Sequence, residues 1–175
     1  MFTIRRVFGV LMLGLTLLLS GCFTRVESGE IALRRAFSGD IKQEVLQPGL
    51  HQTFWGDVII FSSKEIMLNE EDIRAQTAEK STLQDFDLSF SYDFKDDALY
   101  HIYTSYSPSN HLSSQDKHEI YPMATFMKNL VRSAAYSAVG AIPALEVNQE
   151  KNRQAITDAI RANVLRKLQD EKLEG

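Results

Sequence analysis

Phe86-Asp87-Leu88-Ser89-Phe90-Ser91-Tyr92-Asp93-Phe94 alternates without a break: every even position is large and apolar or aromatic, and every odd position is polar. A period of two over this length sets one face on a core and the other in water. A helix would scatter the same aromatics around its axis, so the stretch reads as a half-buried strand.

Working toward the N-terminus, short apolar runs separated by turn signals continue the pattern. Ile66-Met67-Leu68 is a strand candidate, and Asn69-Glu70-Glu71-Asp72 breaks it as a solvated turn. Residues 58–61 and 50–54 are two more strand candidates. Pro48-Gly49 is a turn signal, because proline presets φ and glycine tolerates positive φ. Ile41–Leu46 reads as a strand, Ser38-Gly39-Asp40 as a turn, and residues 30–37 alternate with Ile31, Leu33 and Phe37 inward.

Toward the C-terminus the period changes to that of a helix. Asp96 and Asp97 open a helix through Tyr106, with Leu99, Ile102, Tyr103 and Tyr106 at helical spacing and the acids suiting the first turn. Residues 107–114 form a loop containing Pro108. A longer helix is expected over 121–139, with Pro122 in its first turn and Met123, Phe126, Met127, Leu130, Val131 and Ala134 as its apolar stripe. Gly140 and Pro143 end it. A last helix is expected over 148–172, with Asn148 as N-cap and Ile156, Ala159, Ile160, Val164 and Leu168 on one face. Strands first and helices after imply an α+β fold: an N-terminal antiparallel sheet followed by packed helices.

Composition agrees. In 175 residues, 44% apolar and 24% charged side chains are the proportions of one folded domain with one core. The net charge is −4 with no clustered Lys or Arg, which argues against nucleic acid as a partner. The single cysteine, Cys22, excludes an intrachain disulfide.

The first 21 residues read differently. Arg5 and Arg6 precede an uncharged apolar run, Val7-Phe8-Gly9-Val10-Leu11-Met12-Leu13-Gly14-Leu15-Thr16-Leu17-Leu18-Leu19, and then Ser20-Gly21-Cys22. A charged start, an apolar stretch and small exit residues are the plan of a secretory signal. At 1.5 Å per residue the run covers roughly 20 Å, short of a hydrocarbon core of about 30 Å. Leu19, Ser20, Gly21 and Cys22 resemble the lipobox of bacterial lipoproteins. That resemblance implies a diacylglycerol on the Cys22 sulfur, cleavage between Gly21 and Cys22, and acylation of the new amine. Two or more acyl chains hold a protein stably at a bilayer. The resemblance thus implies a leader over 1–21, a lipidated cysteine with a polar tether over 22–28, and a domain over 29–175 on the extracytoplasmic face, periplasmic in a Gram-negative cell. Loss of the leader takes Arg5 and Arg6 with it and leaves a net charge of −6. Gram-negative lipoproteins kept in the inner membrane usually carry aspartate after the cysteine. Phe23 stands there instead, which leans to the outer membrane.

Within the domain, several pieces in order are similar to the SPFH family, also called band 7 or prohibitin-homology. They are Val26-Glu27-Ser28-Gly29-Glu30, the hairpin glycine Gly39, Pro48-Gly49-Leu50-His51, the threonine turn Thr77-Ala78-Glu79-Lys80-Ser81, the alternating strand ending at Phe94, Val131-Arg132, and Arg153. Pro-Gly-Leu-His is the most specific of them. The threonine turn lacks the family's Asp-Gly, and Trp55-Gly56 stands where the family has a proline. The family continues with one more strand and a long coiled-coil helix that assembles rings or cages. This sequence ends at Leu173-Glu174-Gly175, near where that strand is expected, so a fragment and a shortened domain are both open readings. The resemblance implies a non-enzymatic membrane scaffold whose partners are the bilayer, further copies of itself, or membrane proteins. The alternative is a lipoprotein that binds a small apolar ligand or lipid.

No residue pattern for catalysis, metal or cofactor binding emerges, so no catalytic residue, metal ligand or cofactor is expected. His51, His101, His111 and His118 lack His-Glu-x-x-His or any i, i+4 pairing. His111 and His118 read as solvated loop residues and His51 as a structural hydrogen-bonding residue. Asp96-Asp97 and Glu70-Glu71-Asp72 read as a helix cap and a solvated turn. An extracytoplasmic hydrolase has no nucleophile elbow to support it. Tyr92, Tyr100, Tyr103 and Tyr106 with Phe86, Phe90 and Phe94 read as core and half-buried surface, or as a groove for a lipid or partner segment.

Overall fold

Strand β2 (Glu30–Ala36) is an interior strand of a five-stranded sheet, and Ile31, Ala32 and Leu33 in succession are buried. Three consecutive buried residues require cover on both faces of a strand, and the chain supplies it from two directions. The computed structural model describes residues 23–53, 56–84, 86–114 and 119–171. The other strands are β1 (Phe23–Val26), β3 (Ile41–Leu46), β4 (Gly49–Gln52), β5 (Gly56–Ser62), β6 (Ile66–Glu70), β7 (Leu88–Tyr92), β8 (Leu112–Ser113) and β9 (Ile120–Tyr121). The helices are α1 (Leu99–Ser105), α2 (Ala124–Val139) and α3 (Glu150–Asp170).

The large sheet has the order β3-β2-β5-β9-β8. On one face Ile31, Leu33 and Phe61 close on Leu99 of α1. On the other, Ala32 meets Val26 of β1 and Leu46 of β3, so the β1–β4 pair covers it. Gly39 makes the β2–β3 turn at φ +92, a conformation that costs a side chain roughly 1–2 kcal/mol. Gly56 lets β5 approach β2 closely: a Cβ there would lie 2.5 Å from the Arg35 carbonyl oxygen.

The helical half is built on the strand that the alternation singles out. Leu88, Phe90 and Tyr92 are half-buried, while Ser89 and Ser91 are exposed. β7 pairs antiparallel with β6, and its inner face meets α2 and α3. Ile73, Ala75, Val131, Ala135, Val139, Ile156 and Ile160 form the main core of this half.

The α+β class read from the sequence is the class observed. The details differ in instructive places. The sheet is antiparallel except at β5–β9, which is parallel at Phe61↔Ile120. β8 and β9 fall within and after the expected loop, so two strands follow α1. Phe23–Val26, read as part of a polar tether, is strand β1, with Val26 1% exposed. β6 runs on through Glu70 rather than breaking at Asn69. Pro122 precedes α2 instead of opening it. Gln149, not Asn148, is the N-cap of α3, without a side-chain bond.

Candidate functional site

Leu19, Ser20, Gly21 and Cys22, with the cleavage position between the last two, lie outside the described residues, as does His118. The described residues begin at Phe23. β1 pairs with β4 at Phe23↔Gln52, Thr24↔His51, Arg25↔Leu50 and Val26↔Gly49. Partners opposite one another share a face of an antiparallel pair. Val26 turns into the core, so Phe23, Arg25, Leu50 and Gln52 share the outer face, and all four are exposed. Phe23 is 49% exposed and Leu50 68%.

A tightly built polar cluster joins β6 to α2. The Glu70 side chain is 5% exposed; Lys128 Nζ lies 3.1 Å from its Oε1, and Arg132 bonds its Oε2. Lys128 and Arg132 are one turn apart on α2 and therefore share a face. Burial pushes the Glu70 carboxyl upward, but the hydrogen bonds and charges of Lys128 and Arg132 outweigh it and hold the group below its ordinary value. Glu70 is thus a clamp between β6 and α2, not the solvated turn residue read from the sequence. The missed signal is the pair of cations at i, i+4 on a helix that otherwise turns apolar residues inward.

A second knot holds the start of α2. Met123 sits at φ 59, an uncommon left-handed conformation for a non-glycine residue. The Tyr92 hydroxyl donates to the Pro122 carbonyl at 2.5 Å, and the Met123 N–H donates to His111 Nδ1 at 3.0 Å. The strained turn is therefore held on both sides. His111 stacks on Tyr103 with ring centroids 5.5 Å apart. Its Nε2 is buried without a hydrogen-bond partner among the described residues. Burial lowers the His111 pKa and raises that of Tyr92. His111 is half-buried and structural, which corrects its reading as a solvated loop residue: the loop folds back as β8 and carries the ring inward. His51 Nε2 meets the Gln47 carbonyl oxygen at 2.6 Å, and His101 Nδ1 meets the Ser105 hydroxyl at 3.0 Å. Both contacts are local.

The aromatic-rich region divides between cores. Phe94, Tyr100 and Tyr103 pack on the sheet cluster, whereas Phe90, Tyr92, Phe94 and Tyr106 pack around Ile102, Met123 and Met127. Between β7 and α3 a groove of about 520 Å³ stays open, walled by Leu88, Phe90 and Tyr92 on one side and by Thr157, Arg161 and Leu165 on the other. Among the described residues no group of three or more His, Cys, Asp or Glu could hold a metal ion, and no helix is long and apolar enough to cross a membrane.

No protein-family model matches the sequence, and no curated protein matches it.

Proposed function

We propose that the chain is a membrane-tethered, non-enzymatic scaffold or interaction domain of the SPFH type, held at the extracytoplasmic face by acyl chains on Cys22. The observation that carries this reading is the sequence Leu19-Ser20-Gly21-Cys22 at the end of an apolar run behind two arginines. Strand β1 at Phe23–Val26 is in keeping with it, because Cys22 adjoins it in sequence and an anchor there acts directly on folded backbone. The scaffold reading also draws on what the polar side chains do. Glu70, Lys128 and Arg132 clamp a strand to a helix, and His111 holds a turn. The element order, sheet then two longer helices, suits the resemblance.

The groove between β7 and α3 favours a second reading, a lipoprotein that binds an apolar molecule, since apolar side chains wall part of it. Two measurements separate the readings. Cys22→Ser is expected to block lipid labelling and leave an unprocessed precursor; unchanged labelling and processing would refute the anchor. Size measurement on the detergent-solubilised full chain is expected to give discrete large assemblies, whereas a monomer carrying co-purified lipid would replace the scaffold with the ligand-binding reading.

A further inference from the structure

We infer that the outer face of the β1–β4 pair lies flat on the bilayer, with Phe23 and Leu50 among the lipid headgroups and glycerol and Arg25 on the phosphates. The inference rests on the proposed anchor at Cys22 and adds the orientation of the domain.

Geometry supplies the first argument. Consecutive Cα atoms are about 3.8 Å apart, and a strand rises about 3.4 Å per residue. An acylated residue 22 sits where its chains enter the hydrocarbon, so Phe23 is already in the headgroup layer. That layer is roughly 5–7 Å deep on each side. A β1 standing upright would lift Arg25 and Leu50 out of it; a β1 lying along the surface keeps them in it.

The face itself decides between the two poses. Its inner side is occupied: Val26 packs with Ala32, Leu46 and Val58, and the Thr24 hydroxyl meets the Thr53 hydroxyl at 3.3 Å. The outer side presents two large apolar side chains to solvent, Phe23 about half exposed and Leu50 more than half. Aromatic and aliphatic side chains next to a guanidinium are what a membrane interface accommodates.

Charge agrees. The chain is acidic overall, yet neither β1 nor β4 contains an acidic residue. Arg25 is exposed on this face, directly opposite Leu50. Arg34 reaches the edge of the same pair through the Gln52 carbonyl oxygen at 3.0 Å. Planar guanidinium groups suit phosphate, and juxtamembrane cations are drawn to anionic lipid. The nearest acid along β1, Glu27, follows Val26 at the end away from Cys22.

The test uses the full chain, processed in cells and reconstituted into vesicles of phosphatidylethanolamine and phosphatidylglycerol. Cys22 carries lipid, so a cysteine introduced by Leu50→Cys is the one thiol open to an environment-sensitive fluorophore. A second protein carries Leu145→Cys, at a position 91% exposed between α2 and α3. The fluorophore at 50 is expected to shift to shorter wavelength and to lose most of its emission when lipids with brominated acyl chains are included. The fluorophore at 145 is expected to do neither. Adding Arg25→Glu to the Leu50→Cys protein should return the emission toward that of position 145. Equal emission and quenching at 50 and 145, with the N-terminal peptide shown acylated by mass spectrometry, would overturn the orientation and leave the anchor standing. A bare Cys22 in the same mass spectrum would overturn both.

Discussion

Replacing Glu70 by glutamine removes one negative charge from the β6–α2 junction and keeps the side chain's shape. In the native protein the carboxylate receives Lys128 Nζ at 3.1 Å and an Arg132 guanidinium nitrogen. Hydrogen bonds to charged groups are each worth about 1.5–3 kcal/mol. Both cations keep access to water in the variant, since their side chains are 30% and 45% exposed, so neither is left as a buried uncompensated charge. The glutamine carbonyl retains part of one bond. Two such bonds at the low end come to about 3 kcal/mol, and the bond partly retained brings the expected loss to about 2 kcal/mol. For a chain of this size that corresponds to a fall in Tm of roughly 4–8 °C.

The effect has a pH signature. The Glu70 carboxyl titrates below its ordinary value of 4.5 in the folded state. A carboxyl depressed by folding contributes stability that is fully present above the unfolded pKa and is lost as pH falls through the folded one. The gap between the native protein and Glu70→Gln should thus be constant from pH 7 down to about 5 and then close. Urea unfolding at pH 7, 5 and 3.5, followed by circular dichroism, measures it, with the slope on denaturant unchanged. A variant within about 0.5 kcal/mol of the native protein at pH 7, the size of an ordinary surface substitution, or a gap that persists unchanged at the lowest pH, would refute the clamp.

His111→Phe keeps the stack on Tyr103 but removes the acceptor of the Met123 N–H, so a loss of about 1–3 kcal/mol at pH 7 is expected in the same assay. Because burial lowers the His111 pKa, its neutral form supports the fold above the unfolded value near 6.5, and that support falls away as pH drops below it; the variant should show a flatter stability profile between pH 7 and 5. Tyr92→Phe deletes the bond to the Pro122 carbonyl for about 1 kcal/mol, and hydrogen exchange should speed up at the first turn of α2 before it does in β2.

How much of this was legible in the sequence depends on which force dominates at each position. The β7 alternation was readable because one face meets the α2 and α3 core while Ser89 and Ser91 meet water, which is the case a period of two describes. Leu99 and Ile102 fixed α1 for the corresponding helical reason. β1 was missed because one of its faces is open: Thr24 and Arg25 look like tether residues, and the strand exists through its pairing with β4, a partner 29 positions away at Phe23↔Gln52. β8 and β9, two residues each, carry no period. Glu70 read as solvent because burial of a carboxylate is stabilised by Lys128 and Arg132, some 60 residues further on. The lipobox residues, by contrast, are a purely local signal, legible without any fold.

Helix α1 has seven residues, too few to hold together alone in water. Leu99 and Tyr103 face the sheet cluster, Ile102 faces the helical one, and Phe94 just before it packs in both. The little helix is mortar between two walls: each wall keeps it wound, and it keeps each wall dry on the side it covers. Melting either half would unwind α1 and wet the other, so the two halves stand or fall as a single cooperative body.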